Sequence, residues 1–226
     1  MFDIALRPLK DGIFDNVTNL VPTSVSPTQV TVAAFLSGVA CCIAAARASP
    51  TLAVSLWIFN RSLDCLDGAV ARKRQQSSDL GGFLDLLGDF IVYSAIPICC
   101  TIGHNTVTST PDWTSIQRQW LAVAVVESTF HINNFILFFL AALMEKEKAK
   151  SAGQGQPGSE STKTKELTSL SMKPALVEGF ESGLAFTLML AIPAWTEALC
   201  WVLSAGVIVG IVQRTQNAIF ALNKVA

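Results

Sequence analysis

The amino-acid sequence has 226 residues, of which 51% are hydrophobic and only 15% are charged. Soluble domains typically carry about 25% charged residues, because a water-facing surface needs them. The formal net charge of −1 excludes the broad positive field that nucleic-acid binding requires, so we expect no nucleic-acid partner. Several apolar runs reach the length of about 20 residues that one membrane-spanning helix needs. The composition therefore predicts an integral membrane protein surrounded by lipid.

The first 25 residues mix apolar side chains with Arg7, Lys10 and Asp11. This pattern is typical of an amphipathic helix that lies at the membrane surface, although a helix packed on the protein would show it too. Charges and prolines interrupt the segment, so it does not resemble a secretory signal peptide. The sequence Ser26-Pro27-Thr28-Gln29 then predicts a helix start with a capping box, because Ser26 can cap and proline fits the first turn.

Six membrane spans are predicted after this start, at approximately 28–47, 51–71, 82–103, 117–144, 174–193 and 195–213. Only a short corner, Pro193-Ala194-Trp195, separates the fifth span from the sixth. The polar stretch over residues 145–173 has too few apolar residues to pack, which predicts a flexible cytoplasmic loop. The expected fold is all-α: one polytopic membrane domain over residues 1–226, with six transmembrane helices and an amphipathic interfacial helix over residues 1–25.

Lysines and arginines concentrate in one set of the connections between these spans, which predicts that this set faces the cytoplasm. The connection between the second and third spans belongs to it and contains Arg72, Lys73 and Arg74. We therefore expect a multi-pass protein whose site at this junction faces the cytoplasm. The tryptophans are expected mostly near the span boundaries, as interfacial aromatic residues: Trp57, Trp113, Trp120, Trp195 and Trp201.

Four aspartates flank the junction between the second and third spans. Asp64 and Asp67 are three residues apart and Asp85 and Asp89 are four apart, so each pair shares one helix face. An aspartate at the bilayer centre costs about 2.5–3.5 kcal/mol, which makes bound cations the expected compensation. Carboxylates without histidine or cysteine partners suit Mg²⁺ or Mn²⁺, and two such ions can polarise a phosphoryl group. Four aspartates at solvated helix ends are the structural alternative.

The residues between the two aspartate pairs suit a phosphate ligand. Arg72 supplies a forked cation of the kind that binds phosphate oxygens. Gly68, Ala71 and Gly81 have small side chains or none, so a ligand can approach the backbone closely. The junction is therefore predicted to bind a phosphate-bearing substrate together with metal ions.

The spacing D-x2-D-G-x2-A-R-x8-G-x3-D-x3-D over residues 64–89 resembles, without departure, the signature of the CDP-alcohol phosphatidyltransferase family. The matching residues are Asp64, Asp67, Gly68, Ala71, Arg72, Gly81, Asp85 and Asp89. The resemblance implies a CDP-linked substrate bound in a cytoplasm-facing cavity between the transmembrane helices. It also implies that the glycines and alanine make room for the cytidine, that the arginine lies near the phosphates, and that a homodimer is possible.

The resemblance further implies different roles for the four aspartates. Asp64, Asp67 and Asp85 would hold two divalent ions, Mg²⁺ or Mn²⁺, against the diphosphate. Asp89 would also contact metal and would act as general base on the acceptor hydroxyl, which then attacks phosphorus and releases CMP. An alcohol needs such a base because it is a poor nucleophile while it keeps its proton.

Five further polar residues are candidates either for supporting the metal-binding aspartates or for binding the acceptor. Asn60 lies four residues before Asp64, where it could orient that aspartate, contact the nucleotide or join two helices. His131 and Asn134 fall inside the fourth span, where polar groups are functional candidates. Glu178 and Glu181 open the fifth span, and carboxylates at a helix N-terminus are also favoured by the helix dipole.

The predicted function is transfer of a phosphatidyl group from CDP-diacylglycerol to a small polar alcohol, with release of CMP. Two alternatives remain at this point. Within the same chemistry, a CDP-linked amino alcohol could be donated to diacylglycerol. In a different class, intramembrane carboxylates could belong to a divalent-cation transporter, which would distribute polar residues through the full membrane depth.

Overall fold

The structure is a computed structural model that describes residues 17–108, 112–153 and 179–225. Six α-helices account for most of these residues, and none of the described residues forms a strand, as predicted for an all-α protein. The helices are α1 (Pro27–Ala46), α2 (Pro50–Lys73), α3 (Asp79–Val107), α4 (Trp113–Gly153), α5 (Gly179–Ala191) and α6 (Thr196–Val225). Short 3-10 turns precede α1 at Thr18–Leu20 and α6 at Pro193–Trp195.

Four segments of the described chain are long and apolar enough to cross a membrane: Pro27–Ala46, Asp79–Val107, Trp113–Leu143 and Pro193–Ile219. Large apolar side chains such as Leu36, Ile91 and Val202 face outward, as they do in a protein whose surroundings are lipid. The chain is therefore a multi-pass membrane protein. Within α2, Arg61, Asp64 and Asp67 interrupt the apolar sequence, so this helix is not among the four.

The predicted helix boundaries hold best where a specific capping signal marks them. The Ser26 side chain accepts from the Gln29 backbone N–H, and the Gln29 side chain accepts from the Ser26 N–H, which is the predicted capping box. The corner before α6 lies at Pro193–Trp195, also as predicted. Residues 1–16, most of the predicted amphipathic segment, lie outside the described residues.

Two helices continue beyond their predicted ends. Helix α4 extends to Gly153, nine residues into the stretch from 145 that was predicted to be a loop. Its glutamates, lysines and alanines are strong helix formers, so the segment prolongs the helix although it has little apolar surface to bury. The rest of that predicted loop, residues 154–173, lies outside the described residues. Helix α6 likewise continues past residue 213, to Val225.

Helix α1 packs against both α2 and α3, α5 also contacts α2 and α3, and α4 packs against α6. Helices α1 and α3 approach each other closely at Gly103, where a Cβ atom would lie 2.0 Å from the carbonyl oxygen of Ala45. Only glycine permits this crossing, because any side chain would overlap the α1 backbone. The crossing fixes how α3 lies against α1, and α3 carries two of the four aspartates.

An aromatic cluster fills the core between α2, α3 and α5. Trp57, Tyr93 and Phe186 have ring centroids 5.3–6.2 Å apart. Trp57 is only 2% exposed, and its indole N–H donates to the Thr187 hydroxyl at 2.9 Å. The prediction that the tryptophans are mostly interfacial is therefore wrong for Trp57, because its large ring contributes buried apolar area to the core.

The end of α2 is attached to the segment that precedes α1. The Arg74 guanidinium donates to the carbonyl oxygens of Val25 at 2.6 Å, Val21 at 2.7 Å and Pro22 at 3.1 Å. The ammonium of the adjacent Lys73 donates to side-chain oxygens of the preceding 3-10 turn. These bonds satisfy backbone carbonyls that would otherwise lack partners, and they fix the start of α1 beside the end of α2.

Candidate active site

Two neighbouring cavities lie where the start of α1, the end of α2 and the start of α3 meet. The larger has a volume of about 200 Å³ and is lined by Pro27, Thr28, Thr31, Asp67, Gly68, Ala71, Arg72, Gln76, Ser77, Ser78, Gly81, Gly82 and Asp85. The smaller, of about 10 Å³, is lined by Thr31, Ala34, Phe35, Asn60, Asp64, Leu84, Asp85, Gly88 and Asp89. Thr31 and Asp85 line both. All eight residues of the signature therefore contribute to one continuous region.

Local sequence places the two aspartate pairs face to face. The α2 helix ends at Lys73, and α3 starts at Asp79, where the Ser78 hydroxyl caps it by accepting from the Gly81 N–H at 3.1 Å. The short connection between the two helices brings their acidic faces together. Asp64 and Asp85 both line the cavity of about 10 Å³ between these helices. Two carboxylates this close repel each other when ionised, so the arrangement favours a cation between them.

Asp67 is held by a residue that the sequence analysis did not single out. The Thr31 hydroxyl, on α1, donates to Asp67 Oδ2 at 2.6 Å, and Asp67 is only 5% exposed. A hydrogen bond to a buried carboxylate is strong and fixes its orientation. Helix α1 therefore takes part in the site through Thr31, in addition to forming one wall of the larger cavity.

Asp89 is paired with Arg61, which lies one turn before Asp64 on α2. Arg61 Nη2 donates to Asp89 Oδ1 at 2.5 Å, and Nη1 donates to Oδ2 at 3.3 Å. Arg61 Nη1 also lies 3.4 Å from Asp64 Oδ2. The Tyr93 hydroxyl donates to Asp89 Oδ2 at 2.9 Å and accepts from Arg61. Both oxygens of Asp89 are therefore engaged.

The Arg61 guanidinium is also positioned on its other sides. Its Nε donates to Asn60 Oδ1 at 2.8 Å, and the Asn60 amide donates to the Ala34 carbonyl oxygen at 2.7 Å. The guanidinium carbon lies 4.9 Å from the centroid of the Trp57 ring and 5.1 Å from that of Tyr93. Asn60 thus joins α2 to α1, as one of its predicted roles required, and it orients Arg61 as well.

The larger cavity contains the small residues and the arginine of the signature. Gly68, Ala71 and Gly81 line it together with Arg72. A Cβ atom at position 68 would lie 3.1 Å from Arg72 Nη1, so the absence of a side chain at Gly68 leaves that guanidinium room along the helix. The cavity therefore combines an arginine, small residues and two carboxylates, a set that suits a phosphate-bearing ligand.

A family model described as CDP-alcohol phosphatidyltransferase matches residues 24–212 of the chain. The chain belongs to this family. Its relatives include the inner membrane protein YnjF of Escherichia coli strain K12, which is 29% identical over 209 residues that cover 89% of this chain and 90% of YnjF. A bifunctional IPC transferase and DIPP synthase of Thermococcus kodakarensis is 35% identical over 83 residues, which are 37% of this chain and 19% of that protein.

Solved structures of Mycobacterium tuberculosis phosphatidylinositol phosphate synthase (PgsA1) share the fold of this chain. The structure with CDP-DAG bound aligns with a TM-score of 0.60 at 17% identity and covers 93% of each chain. The structure in complex with manganese and citrate aligns with a TM-score of 0.53 at 18% identity and covers 92% of this chain and 88% of PgsA1. At this identity the likeness concerns the fold alone.

The donor atoms of the site fit the hard divalent ions expected for this family. Carboxylate oxygens from α2 and α3 line both cavities, and the volume of about 10 Å³ beside Asp64, Asp85 and Asp89 corresponds to roughly one water-sized particle. Within the described chain, however, no three His, Cys, Asp or Glu side chains already form a metal-ligand group. The Arg61 guanidinium lies among these carboxylates instead, paired with Asp89 and 3.4 Å from Asp64.

The acceptor candidates that the structure describes do not line these cavities. His131 is exposed on α4, Asn134 is half-buried on the same helix, and Glu181 is half-buried on α5. None of these three lines either of the two cavities described above. Glu178 lies outside the described residues. Of the four secondary candidates that the structure describes, Asn60 is the one beside the aspartates.

Three residues of the site, Arg61, Tyr93 and Thr31, were given no role in the sequence analysis, although Arg61 carried a clear signal. Arg61 is a cation inside a predicted membrane span, and an ionisable residue there is a functional candidate by default. Thr31 gave a weaker signal, because a threonine in an apolar helix usually bonds to its own backbone. Its contact with Asp67 joins residues that are 36 positions apart, which only the fold could reveal.

Proposed function

We propose that the protein transfers a phosphatidyl group from CDP-diacylglycerol to a small polar alcohol and releases CMP, in a reaction that depends on Mg²⁺ or Mn²⁺. The observation that supports this most directly is the cavity of about 200 Å³, because six of the eight signature residues line it. Membership in the CDP-alcohol phosphatidyltransferase family supports the donor class, and PgsA1, which shares the fold, is described with CDP-DAG bound.

In this proposal the cytidine and diphosphate of the donor occupy the larger cavity, and Arg72 binds the phosphates beside the small residues of α2 and α3. Asp64, Asp67 and Asp85 would hold two divalent ions. Those ions would polarise the phosphoryl group and stabilise the oxygen on which CMP leaves. The hydrogen bond from the Thr31 hydroxyl, on α1, orients Asp67 and supports this role.

Asp89 is the proposed general base. It takes the proton of the acceptor hydroxyl, whose oxygen forms a new bond to the phosphorus that carries the lipid, while the bond from this phosphorus to CMP breaks. Without metal, Arg61 and Tyr93 contact both of its oxygens and place it beside the smaller cavity. No serine, cysteine or histidine nucleophile is required.

We further propose that all six helices span the membrane and that the junction between α2 and α3 faces the cytoplasm. The charged residues of α2 lie toward its C-terminal end, where Arg72, Lys73 and Arg74 belong to the predicted cytoplasmic set. The N-terminal segment is proposed to lie in the membrane interface. A homodimer is proposed from the family resemblance alone.

A CMP-dependent reversal assay tests the proposed reaction. Purified protein in lipid nanodiscs, supplied with Mg²⁺, CMP and the product lipid, should regenerate CDP-diacylglycerol, and EDTA should stop the reaction. The Asp67→Ala variant should lose this activity, whereas Asp112→Ala, which removes an exposed aspartate between α3 and α4, should keep it. Absence of any CMP-dependent exchange in the wild-type protein would contradict the proposal.

The same preparation distinguishes the alternatives. Labelled CDP-diacylglycerol incubated with a panel of alcohols identifies the acceptor, and labelled CDP-linked amino alcohols with diacylglycerol test the reverse polarity. A divalent-cation transporter would move Mn²⁺ into proteoliposomes without CMP exchange. The aspartates of the site gather at one end of α2 and α3, which favours a transferase over a conduction path.

A further inference from the structure

We propose that Arg61 is an exchangeable counter-ion of the carboxylate cluster, which occupies the oxygens of Asp89 and approaches Asp64 until divalent ions replace it. This inference rests on the proposed function, because it assumes that the aspartates bind such ions. It assigns a role to a residue that lies outside the signature of the family. Arg61 would be a positioning residue that sets the affinity for metal.

The pairing of Arg61 with Asp89 is a two-point contact. Two guanidinium nitrogens face the two carboxylate oxygens at 2.5 Å and 3.3 Å, and one of them also lies 3.4 Å from Asp64. The side chains are about a quarter exposed, 25% for Arg61 and 26% for Asp89, so water screens the pair only in part. Forked contacts of this kind are the strong form of a charge-assisted hydrogen bond.

The guanidinium is supported where the carboxylates do not reach it. Asn60 accepts from Nε and is itself only 2% exposed, with its amide bonded to the α1 backbone. The rings of Trp57 and Tyr93 lie about 5 Å from the cation, a distance at which an aromatic face attracts it. These contacts involve none of the four aspartates, so they remain when the carboxylates turn to another partner.

A divalent ion and Arg61 compete for the same oxygens. Both oxygens of Asp89 accept hydrogen bonds, and the space beside Asp64, Asp85 and Asp89 amounts to about 10 Å³. An ion that binds these carboxylates would stand within a few ångströms of the guanidinium, where like charges repel strongly. Metal binding therefore requires that Asp89 give up its contacts with Arg61. The exchange leaves Asp89 with a cationic partner both with and without metal.

The test measures Mn²⁺ affinity directly, in the absence of substrate. The electron paramagnetic resonance signal of free Mn²⁺ gives the dissociation constant for the detergent-solubilised wild type and for Arg61→Gln. Removing the competing cation should tighten Mn²⁺ binding roughly tenfold. Without metal, the Arg61→Gln protein should melt at a lower temperature than the wild type, and added Mn²⁺ should raise its melting temperature by more. Arg47→Gln is the matched control, because Arg47 is exposed at the far end of α1. The Mn²⁺ affinity of this variant should equal that of the wild type.

A second variant keeps the test decisive if Arg61→Gln does not fold. Arg61→Lys retains the charge but has no forked geometry and no Nε donor for Asn60, so its Mn²⁺ affinity should fall between those of the wild type and a neutral variant. Unchanged or weaker Mn²⁺ binding in a folded Arg61 variant overturns the inference. If instead the wild type binds Mn²⁺ no better than Asp85→Asn does, the metal site itself fails, and with it the metal-dependent part of the proposed function.

Discussion

The hydrogen bond from Thr31 to Asp67 allows a quantitative test of the donor cavity. Replacing Thr31 with valine keeps the shape of the side chain and removes the hydroxyl that lies 2.6 Å from Asp67 Oδ2. Hydrogen bonds to charged groups contribute about 1.5–3 kcal/mol. Because Asp67 also lines the larger cavity, water can replace the hydroxyl in part, and we expect the lower limit of about 1.5 kcal/mol. This corresponds to about a tenfold loss of affinity for a ligand that needs Asp67 in place.

The assay compares Thr31→Val with Thr31→Ser, which retains the hydroxyl. The dissociation constant and KM for CDP-diacylglycerol, measured with saturating Mg²⁺, should rise about tenfold in the valine variant and stay near the wild-type values in the serine variant. Thermal unfolding of both proteins checks that the fold is intact. Thr31 is buried, so the isosteric replacement avoids a cavity that would complicate the comparison.

Normal donor affinity in a folded Thr31→Val protein would refute this reasoning. Asp67 would then be held adequately by α2 alone, and α1 would line the cavity without orienting Asp67. A loss of affinity in both variants would point to packing at position 31 instead of the hydroxyl. The hydrogen bond is the cause only if serine restores what valine removes.

Three further predictions concern the base, the metal site and the packing of α1 on α3. Asp89→Asn should lower turnover, measured by CMP release, at least about 100-fold. Its affinity for the donor, measured by equilibrium binding, should stay within a few-fold of the wild-type value. Near-normal rates would exclude the base role. Asp67→Ala should weaken both Mn²⁺ and donor binding, and an unchanged Mn²⁺ dissociation constant would count against its role as a ligand. Gly103→Ala would place Cβ 2.0 Å from the Ala45 carbonyl oxygen and should destabilise the protein by about 1–3 kcal/mol in thermal unfolding. Gly183→Ala, with open space around it, should be neutral or slightly stabilising, and equal effects of the two would contradict the crossing geometry.

Much of the architecture follows from local signals in the sequence. Apolar runs located the helices, the Ser26–Gln29 capping box located the start of α1, and the proline corner located the start of α6. The four aspartates meet because helical spacing gives each pair one face and a short connection brings the faces together. These features depend on residues close in sequence, which is why they could be predicted.

Features that depend on contacts between distant residues were less accessible. The aromatic environment that buries Trp57 is formed by α2, α3 and α5 together, so hydropathy near a predicted boundary could not reveal it. The extension of α4 to Gly153 has a different cause, because it follows from local helix propensity in a stretch without the hydrophobic pattern on which the prediction relied. The partners of Arg61 lie on both α2 and α3, so its role appears only when the two helices are seen side by side.

The three bonds from Arg74 to the chain before α1 join two of the three helices that enclose the binding region. The contact of Thr31 with Asp67 links the same two helices inside the site. Asp89 lies on α3, which packs along α1 and is joined to α2 by the pair of Arg61 with Asp89. A movement of α3 away from the other two helices would therefore have to break that pair.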